Sequence, residues 1–125
     1  MAAEITVFRL PAKHLGQLGG ANVLSQYRQA GAAAVSIDWE QGCIQEIDQD
    51  SAVSATAAVT CANVPALGML ILILKASGSG TVTFTLSTGF LVNGTAAPTT
   101  GKQIAIAFVS NGTNFVELCR TSAAV

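Results

Sequence analysis

Few residues of this 125-residue chain have side chains that could carry out chemistry, and their spacing assembles no catalytic set. His14 is the only histidine, and no serine or cysteine near it is paired with an acid in the manner of a triad. A small β-barrel enzyme of the cupin type would need several histidines around a metal ion. We therefore predict that the protein is not an enzyme and has no catalytic residue, no cofactor and no metal ion.

Cysteine and carboxylate side chains offer a second route to chemistry, through metal binding. Cys43, Cys61 and Cys119 are odd in number and lack C-x-x-C spacing, so we expect buried thiols in preference to zinc ligands, with a disulfide or a reactive thiol as the alternative. Five acids lie within positions 38–50, but they match no EF-hand loop because the required glycine and terminal glutamate are missing. We expect Asp48 and Asp50 to lie in solvated turns.

Trp39 is the one aromatic residue whose neighbours suggest binding, because Asp38 and Glu40 flank it. It is a candidate glycan contact, and the competing interpretation is a packing anchor at the edge of a sheet. The other aromatic residues are too dispersed to stack nucleic-acid bases, and the six basic residues are scattered. We expect no nucleic-acid partner.

The composition points to extensive contact with other chains. Half of the residues are hydrophobic, only 10% are charged, and the net charge is −1, whereas a soluble domain carries about 25% charged residues. Membrane insertion would explain this, but the longest apolar run, 64–74, is shorter than the roughly 20 residues of a spanning helix. The first residues also lack the pattern of a secretory signal. We expect synthesis in the cytosol, no membrane partner, and neutral partners such as copies of the chain itself.

The chain from about residue 32 onward is a series of short strands separated by turn signals, which predicts an all-β fold. Strands at this spacing favour an antiparallel β-sandwich or a jelly-roll-like barrel. The continuous apolar run 67–75 predicts a strand buried on both faces, whereas 81–86 alternates as a half-buried strand does. The predicted strands are 33–38, 43–47, 53–61, 67–75, 81–86, 90–92, 102–110 and 114–120.

Asn111-Gly112 predicts a hairpin between the last two strands, because both residues tolerate positive φ. A three-residue loop over 111–113 sets Ile106 opposite Leu118 and Phe108 opposite Val116. We prefer this register because it places the large apolar side chains on one face. That face would carry Ile104, Ile106, Phe108, Val116 and Leu118.

Residues 1–31 have too few large apolar side chains to form a core, and we predict an extended, partly helical arm preceding a β-sandwich domain at 32–125. Ile5–Leu10 has the composition of a strand, and Asn22–Ala30 could form two helical turns that end at Gly31. Such a segment docks on its own fold or on a neighbour, and we favour a neighbour. The predicted interface residues are Ile5, Val7, Phe8, Leu10, Leu15, Leu18, Val23, Leu24 and Tyr27.

The motifs of residues 34–121 resemble those of bacteriophage head-decoration, head-fibre and tail-associated β-modules. One difference is that these modules often have a tryptophan-rich stretch after the Gly-Ser-Gly turn, where this chain has Thr83-Phe-Thr-Leu86. The resemblance implies a virion structural protein, commonly trimeric, whose N-terminal segment meets the capsid or tail. The matching motifs are Ile37-Asp-Trp39, Asn63-Val-Pro-Ala-Leu-Gly68, Gly78-Ser-Gly80, Asn93-Gly-Thr-Ala-Ala-Pro98, Thr100-Gly-Lys102 and Phe108-Val-Ser-Asn-Gly-Thr-Asn-Phe115.

The function that we predict is a capsid decoration or cement protein, which oligomerises, most simply as a homotrimer, and stabilises the phage head by surface contacts. Its partners would be copies of itself and the major capsid protein or another virion protein, and its location would be the virion. The alternative is a tail-fibre or head-fibre module that binds a host surface glycan, for which Trp39 is the strongest candidate.

Overall fold

The structure, a computed structural model, describes residues 26–121 and 124–125. These residues form strands and one short 3-10 helix, Trp39–Gln41, so the prediction of an all-β fold is confirmed. Each predicted strand has its counterpart within a few residues. The strands are β1 (Gln26–Ala30), β2 (Ala34–Asp38), β3 (Ile44–Asp50), β4 (Thr56–Ala62), β5 (Met69–Ser77), β6 (Thr83–Leu86), β7 (Phe90–Leu91), β8 (Gln103–Ser110) and β9 (Phe115–Arg120).

The first six strands wind into a solenoid of three rungs, in which each rung gives one strand to a large sheet and the next to a small sheet. The large sheet has the order β1-β3-β5-β8-β9-β7, and the small sheet has the order β2-β4-β6. Strands of successive rungs pair in parallel. Among the described strands, antiparallel ladders join β5 to β8 and β8 to β9.

The predicted antiparallel sandwich or jelly-roll-like barrel is therefore wrong in its strand arrangement. Alternating polar and apolar residues mark a strand and its buried face, but the alternation is the same beside a parallel or an antiparallel neighbour. The rungs are also unequal. Gln26 lies beside Ile44, and Ile44 lies beside Ile71, so the second turn of the coil is longer than the first and the sequence has no fixed repeat.

One hydrophobic core lies between the two sheets, because each strand turns alternate side chains inward. Phe108 is fully buried in this core, and its ring centroid lies 5.2 Å from that of Phe90 and 6.4 Å from that of Phe115. The remaining large core residues come from both sheets. They include Ile37, Ile47, Val59, Leu70, Leu72, Leu74, Phe84, Ile104 and Ile106.

Two fully buried glutamines on β3 form hydrogen bonds to the corners of the solenoid, where the chain passes from one sheet to the other. The Gln45 amide nitrogen donates to the carbonyls of Asp38 (2.7 Å) and Gly42 (2.9 Å), and the Gln49 amide nitrogen donates to the Ser54 carbonyl (2.9 Å). The neighbouring corner needs a glycine, since a Cβ at Gly31 would overlap the Gln49 side chain. These contacts fix the path of the chain between the two sheets.

The hairpin of β8 and β9 forms as predicted, but in another register. Ser110 pairs with Phe115, so the loop comprises the four residues 111–114 in place of three. The Asn111 carboxamide oxygen accepts hydrogen bonds from the N–H groups of Thr113 (3.0 Å) and Asn114 (2.8 Å). This side-chain turn favours the longer loop, and it could not be read from the apolar pattern alone.

The new register changes which side chains of β9 reach the core. Phe108 lies opposite Glu117 in this register, and a bulge between Ala107 and Phe108 then shifts the pairing once more, so that Ala107 lies opposite Cys119. Phe115 is fully buried, whereas Leu118 is 58% exposed. The predicted placement of Val116 and Leu118 on the face of Phe108 is therefore wrong.

The segment predicted as helical, Asn22–Ala30, ends in a strand. Its described part is β1, which pairs with β3, so the helix prediction is wrong there and β1 is a strand of the large sheet. Glutamine, arginine and alanine favour helices in isolation, but pairing with a neighbouring strand decides their conformation here. The rest of the predicted arm, residues 1–25, lies outside the described residues.

Candidate interaction surface

The outer surface of the large sheet carries a continuous set of apolar side chains, which we call the apolar face. It follows from the sequence of β5, because Met69, Ile71 and Ile73 point away from the core while Leu70, Leu72 and Leu74 point into it. The predicted burial of this strand on both faces is thus wrong for the described chain. The apolar face comprises Ile44, Met69, Ile71, Ile73, Leu91, Ala105, Ala107, Val109 and Val116.

Strand register aligns these side chains in rows across the large sheet. One row runs from Met69 through Val109 and Val116 to Leu91, across four neighbouring strands. With strands about 4.8 Å apart, this row spans about 14 Å. Met69 is 54% exposed and Ile71 is 37% exposed. A monomeric protein rarely exposes so continuous an apolar surface, so this face is suited to binding another apolar surface.

Charged groups lie beside the apolar face near the N-terminal end of the solenoid. Arg28 on β1 forms an ion pair with Glu46 on β3, and Asp48 lies in register with Lys75 of β5. These four residues balance in charge. A groove of about 290 Å³ lies at this border, lined by Gln26, Tyr27, Arg28, Ile44, Glu46 and Ile73. The border therefore suits a partner without a strong net charge.

The outer surface of the small sheet has a different chemistry. Its exposed positions carry small or hydroxyl side chains and, between its ends, no charge. Thr56 pairs with Thr83, and Ala58 pairs with Thr85. Such side chains bury little apolar area and can hydrogen-bond to water. This surface therefore needs no partner.

The cysteines differ in environment and form no disulfide. Cys61 is buried below the small sheet, and desolvation, with a smaller effect of Asp38, raises its pKa to about 11. Its thiol therefore stays protonated and unreactive at neutral pH. Cys119 is exposed and lies opposite Ala107, in the same row as Ile71. The expectation of buried thiols is correct for Cys61 and wrong for Cys119.

Trp39 is held in place by contacts with Gly68, Met69 and the hydrophobic core. Its indole nitrogen donates to the Met69 carbonyl (2.9 Å), and its ring lies against Gly68, where an added Cβ would be 3.2 Å from Cζ2. The ring is partly buried against the core. These contacts are those of a packing anchor between the first and third rungs, and contact with a glycan stays a prediction.

The five acids of positions 38–50 lie in three elements: Asp38 ends β2, Glu40 is in the 3-10 helix, and the other three are on β3, so the turn predicted for Asp48 is wrong. Asp38 accepts a hydrogen bond from the Glu40 N–H (2.9 Å), and Asp50 accepts one from the Ala52 N–H (2.8 Å). Within residues 26–121 and 124–125, no group of three or more His, Cys, Asp or Glu side chains could hold a metal ion. In the same ranges, no helix is long and apolar enough to cross a membrane.

An ion pair on β9 fastens the loop that follows β7. The Arg120 guanidinium donates one hydrogen bond to each carboxylate oxygen of Glu117, both at 2.7 Å. This hydrogen bonding is the main cause of the lowered Glu117 pKa. Glu117 Oε1 also accepts from the Asn93 N–H (3.0 Å), and Arg120 donates to the Thr95 carbonyl (2.9 Å). This pair is structural, because all of its contacts are made within the fold.

Of the predicted interface residues, the structure describes only Tyr27, which is 39% exposed at the end of the solenoid. The other eight lie outside the described residues. The apolar face was not predicted, although the uninterrupted apolar run of β5 is its signal, because alternate side chains of a strand point outward and here they are apolar as well. No protein-family model matches the chain, and neither a curated protein nor a solved structure matches it.

Proposed function

We propose that this chain is a structural protein of a bacteriophage virion, in which it assembles through its apolar face and decorates the capsid. The observation that carries the proposal is the apolar row of Met69, Val109, Val116 and Leu91 across four strands of the large sheet. Burying such a row against another sheet stabilises an assembly by about 25 cal/mol for each Å² of apolar surface removed from water.

A second copy of the chain is the partner that best fits this face. Its border has two acids and two bases, Arg28, Glu46, Asp48 and Lys75, and the whole chain has a net charge of −1. Copies of the chain therefore meet without strong repulsion, while a strongly charged partner finds no net electrostatic attraction there. In a ring of copies, each chain can turn this face toward the common axis, where the apolar side chains bury one another. We propose three copies around one axis.

The virion setting rests on the turn and strand motifs that resemble phage decoration and fibre modules over residues 34–121. A capsid-bound protein needs partner surfaces and no catalytic set, and its low charge agrees with that need. Mass spectrometry of purified particles tests this setting. The protein should be present at a copy number that is a simple multiple of the capsid symmetry, and its absence from particles would reject the setting.

Assembly through the apolar face is tested by light scattering of Ile71→Lys. The full chain should have a mass near three chains. Ile71→Lys should be monomeric, because it removes apolar surface that assembly would bury, at about 25 cal/mol per Å², and places a charge in the interface. We expect the dissociation constant to rise by more than about 100-fold.

Thr85→Lys is the matched control, since it places the same charge on the outer surface of the small sheet, where Thr85 is exposed. It should keep the mass of three chains. Circular dichroism should show that both variants are folded. A monomeric full chain, or an unchanged mass of folded Ile71→Lys, would reject assembly through the apolar face.

A further inference from the structure

The tripeptide Asn-Gly-Thr occurs twice in the described chain, and the two copies differ in their surroundings. Asn93-Gly94-Thr95 follows β7, and Asn111-Gly112-Thr113 lies in the loop between β8 and β9. Both asparagines and both glycines are exposed, and both glycines have positive φ, 78° at Gly94 and 95° at Gly112. A difference in reactivity between the two copies would therefore come mainly from the contacts that the fold makes with them.

An asparagine that is followed by glycine can deamidate without an enzyme. The backbone nitrogen of the glycine gives its proton to a base in the solvent and attacks Cγ of the asparagine. The bond from Cγ to the side-chain nitrogen breaks, this nitrogen takes up a proton from water, and ammonia leaves. Water then opens the cyclic imide to aspartate or isoaspartate. Glycine favours the reaction because it has no Cβ to hinder the approach, but the carboxamide and the backbone N–H must both be free to move.

At the first copy of the tripeptide, both reacting groups are unrestrained. Within the described residues, neither the Asn93 carboxamide nor the Gly94 N–H makes a hydrogen bond. A Cβ built on Gly94 would meet no atom within 4 Å, so the space beside this residue is open. The Asn93 N–H donates to Glu117 Oε1 (3.0 Å), which holds the loop against β9 but leaves the Asn93 side chain free to turn toward the next nitrogen.

At the second copy, the fold holds the same two groups by hydrogen bonds. The Asn111 carboxamide oxygen accepts from the N–H groups of Thr113 (3.0 Å) and Asn114 (2.8 Å). The Gly112 N–H donates to Oγ of Ser110 (3.0 Å), and Ser110 is itself buried. Closing the imide here breaks these hydrogen bonds, and their loss adds to the barrier of the reaction.

We infer that Asn93-Gly94 is a site of spontaneous deamidation in the folded protein, whereas Asn111-Gly112 is protected by its hydrogen bonds. The product carries a new carboxylate at position 93, whose N–H donates to Glu117. In the isoaspartate form, the main chain also becomes one carbon longer at this position. The modification therefore alters the loop that Glu117 and Arg120 fasten. The inference does not depend on the proposed function, because the reaction needs only one folded chain.

Peptide mass spectrometry of the full chain, incubated at mildly alkaline pH, measures aspartate and isoaspartate at both sites. In the folded chain, Asn93 should convert, and Asn111 should convert more slowly by about tenfold or more, which is the effect of one or two hydrogen bonds on a rate. In guanidinium chloride, the two sites should convert at comparable rates, because each asparagine precedes the same glycine and threonine. The unfolded chain is thus the matched control for the folded one.

Ser110→Ala tests the protection directly, because it removes the acceptor of the Gly112 N–H. In this variant, shown to be folded by circular dichroism, Asn111 should convert faster while the Asn93 rate stays unchanged. Unchanged slow conversion of Asn111 would overturn its protection by this hydrogen bond. Equal rates at the two sites of the folded chain would overturn the inference as a whole, as would an Asn93 that converts only after unfolding. These last two outcomes need no variant, so they decide the matter even if Ser110→Ala does not fold.

Discussion

The outer surfaces of the large and small sheets are built on the same coil, yet they differ in chemistry. The large sheet presents isoleucine, methionine and valine outward, while the small sheet presents alanine, serine and threonine. Both turn similar apolar side chains inward. The core thus accounts for the inward apolar residues of both sheets, and the outward apolar residues of β5 and β8 are those that we propose a partner covers. The difference separates residues that fold the chain from residues that we propose assemble it.

The most sensitive test of this difference is to shorten an inward and a neighbouring outward side chain of β8 and to compare the losses of folding free energy. Phe108→Ala removes a fully buried ring that packs against Phe90 and Phe115, and it should lower the free energy of unfolding by about 3–5 kcal/mol. Val109→Ala, which points outward, should lower it by about 1 kcal/mol or less. Urea denaturation in the Ile71→Lys background measures both without a contribution from association.

Equal losses for Phe108→Ala and Val109→Ala would contradict the division into inward and outward roles. The oligomeric mass supplies the converse observation. Val109→Ala in the otherwise unchanged chain should weaken assembly more than it weakens folding.

Thiol labelling compares the two sheets without changing a residue. Cys119, in the row of Ile71, should react with a maleimide in dilute protein and about tenfold more slowly in the assembled protein, because a partner covers it. Cys61 should react in neither state until the chain unfolds, since its thiol is buried and its pKa is about 11. Peptide mass spectrometry over a concentration series measures both rates. A Cys119 rate that is independent of concentration would mean that the apolar face stays uncovered.

The two ion pairs near opposite edges of the large sheet should differ in what they contribute to the free energy of unfolding, but by a smaller amount than the substitutions on β8. Glu117→Gln breaks a forked pair that fastens the 93–95 loop, and it should cost about 1–2 kcal/mol of folding free energy. Arg28→Gln breaks a pair between an exposed arginine and the partly buried Glu46, and it should cost less, about 0.5 kcal/mol. Thermal unfolding at neutral pH compares the two variants, and a larger loss for Arg28→Gln would reverse our assignment of which pair is structural.

The Glu117 pair also predicts a pH dependence. Arg120 lowers the Glu117 pKa in the folded state below the ordinary value of 4.5. The folded state therefore releases this proton more readily than the unfolded state, and the stabilisation is complete above pH 4.5 and is lost as pH falls through the lower folded pKa. The stability difference between the full chain and Glu117→Gln should shrink in that acid range. A difference that grows on acidification would contradict it.

The positions of the strands followed from the sequence, but their neighbours did not. Val82, Phe84 and Leu86 mark their strand and its buried face by alternation alone. Nothing in that pattern says that Thr83 lies beside Thr56, because pairing partners are set by the path of the chain between sheets. That path depends on buried glutamines, which resemble surface residues in a sequence. The continuous apolar run of β5 predicts burial on both faces, whereas its outward residues Met69 and Ile71 are exposed in the described chain.

The unequal rungs have a consequence for how this scaffold can vary. Ala34 stacks on Ala58, and Ala58 stacks on Thr85, although the second step covers a longer stretch of sequence than the first. Pairing between the rungs therefore fixes the alignment of the strands, while the number of residues in the connecting corners can differ. The exposed corner at Gly78 and Ser79 lies outside the strands, so an inserted peptide there should leave the ladders and the apolar face intact, and this corner is where the scaffold can be elaborated.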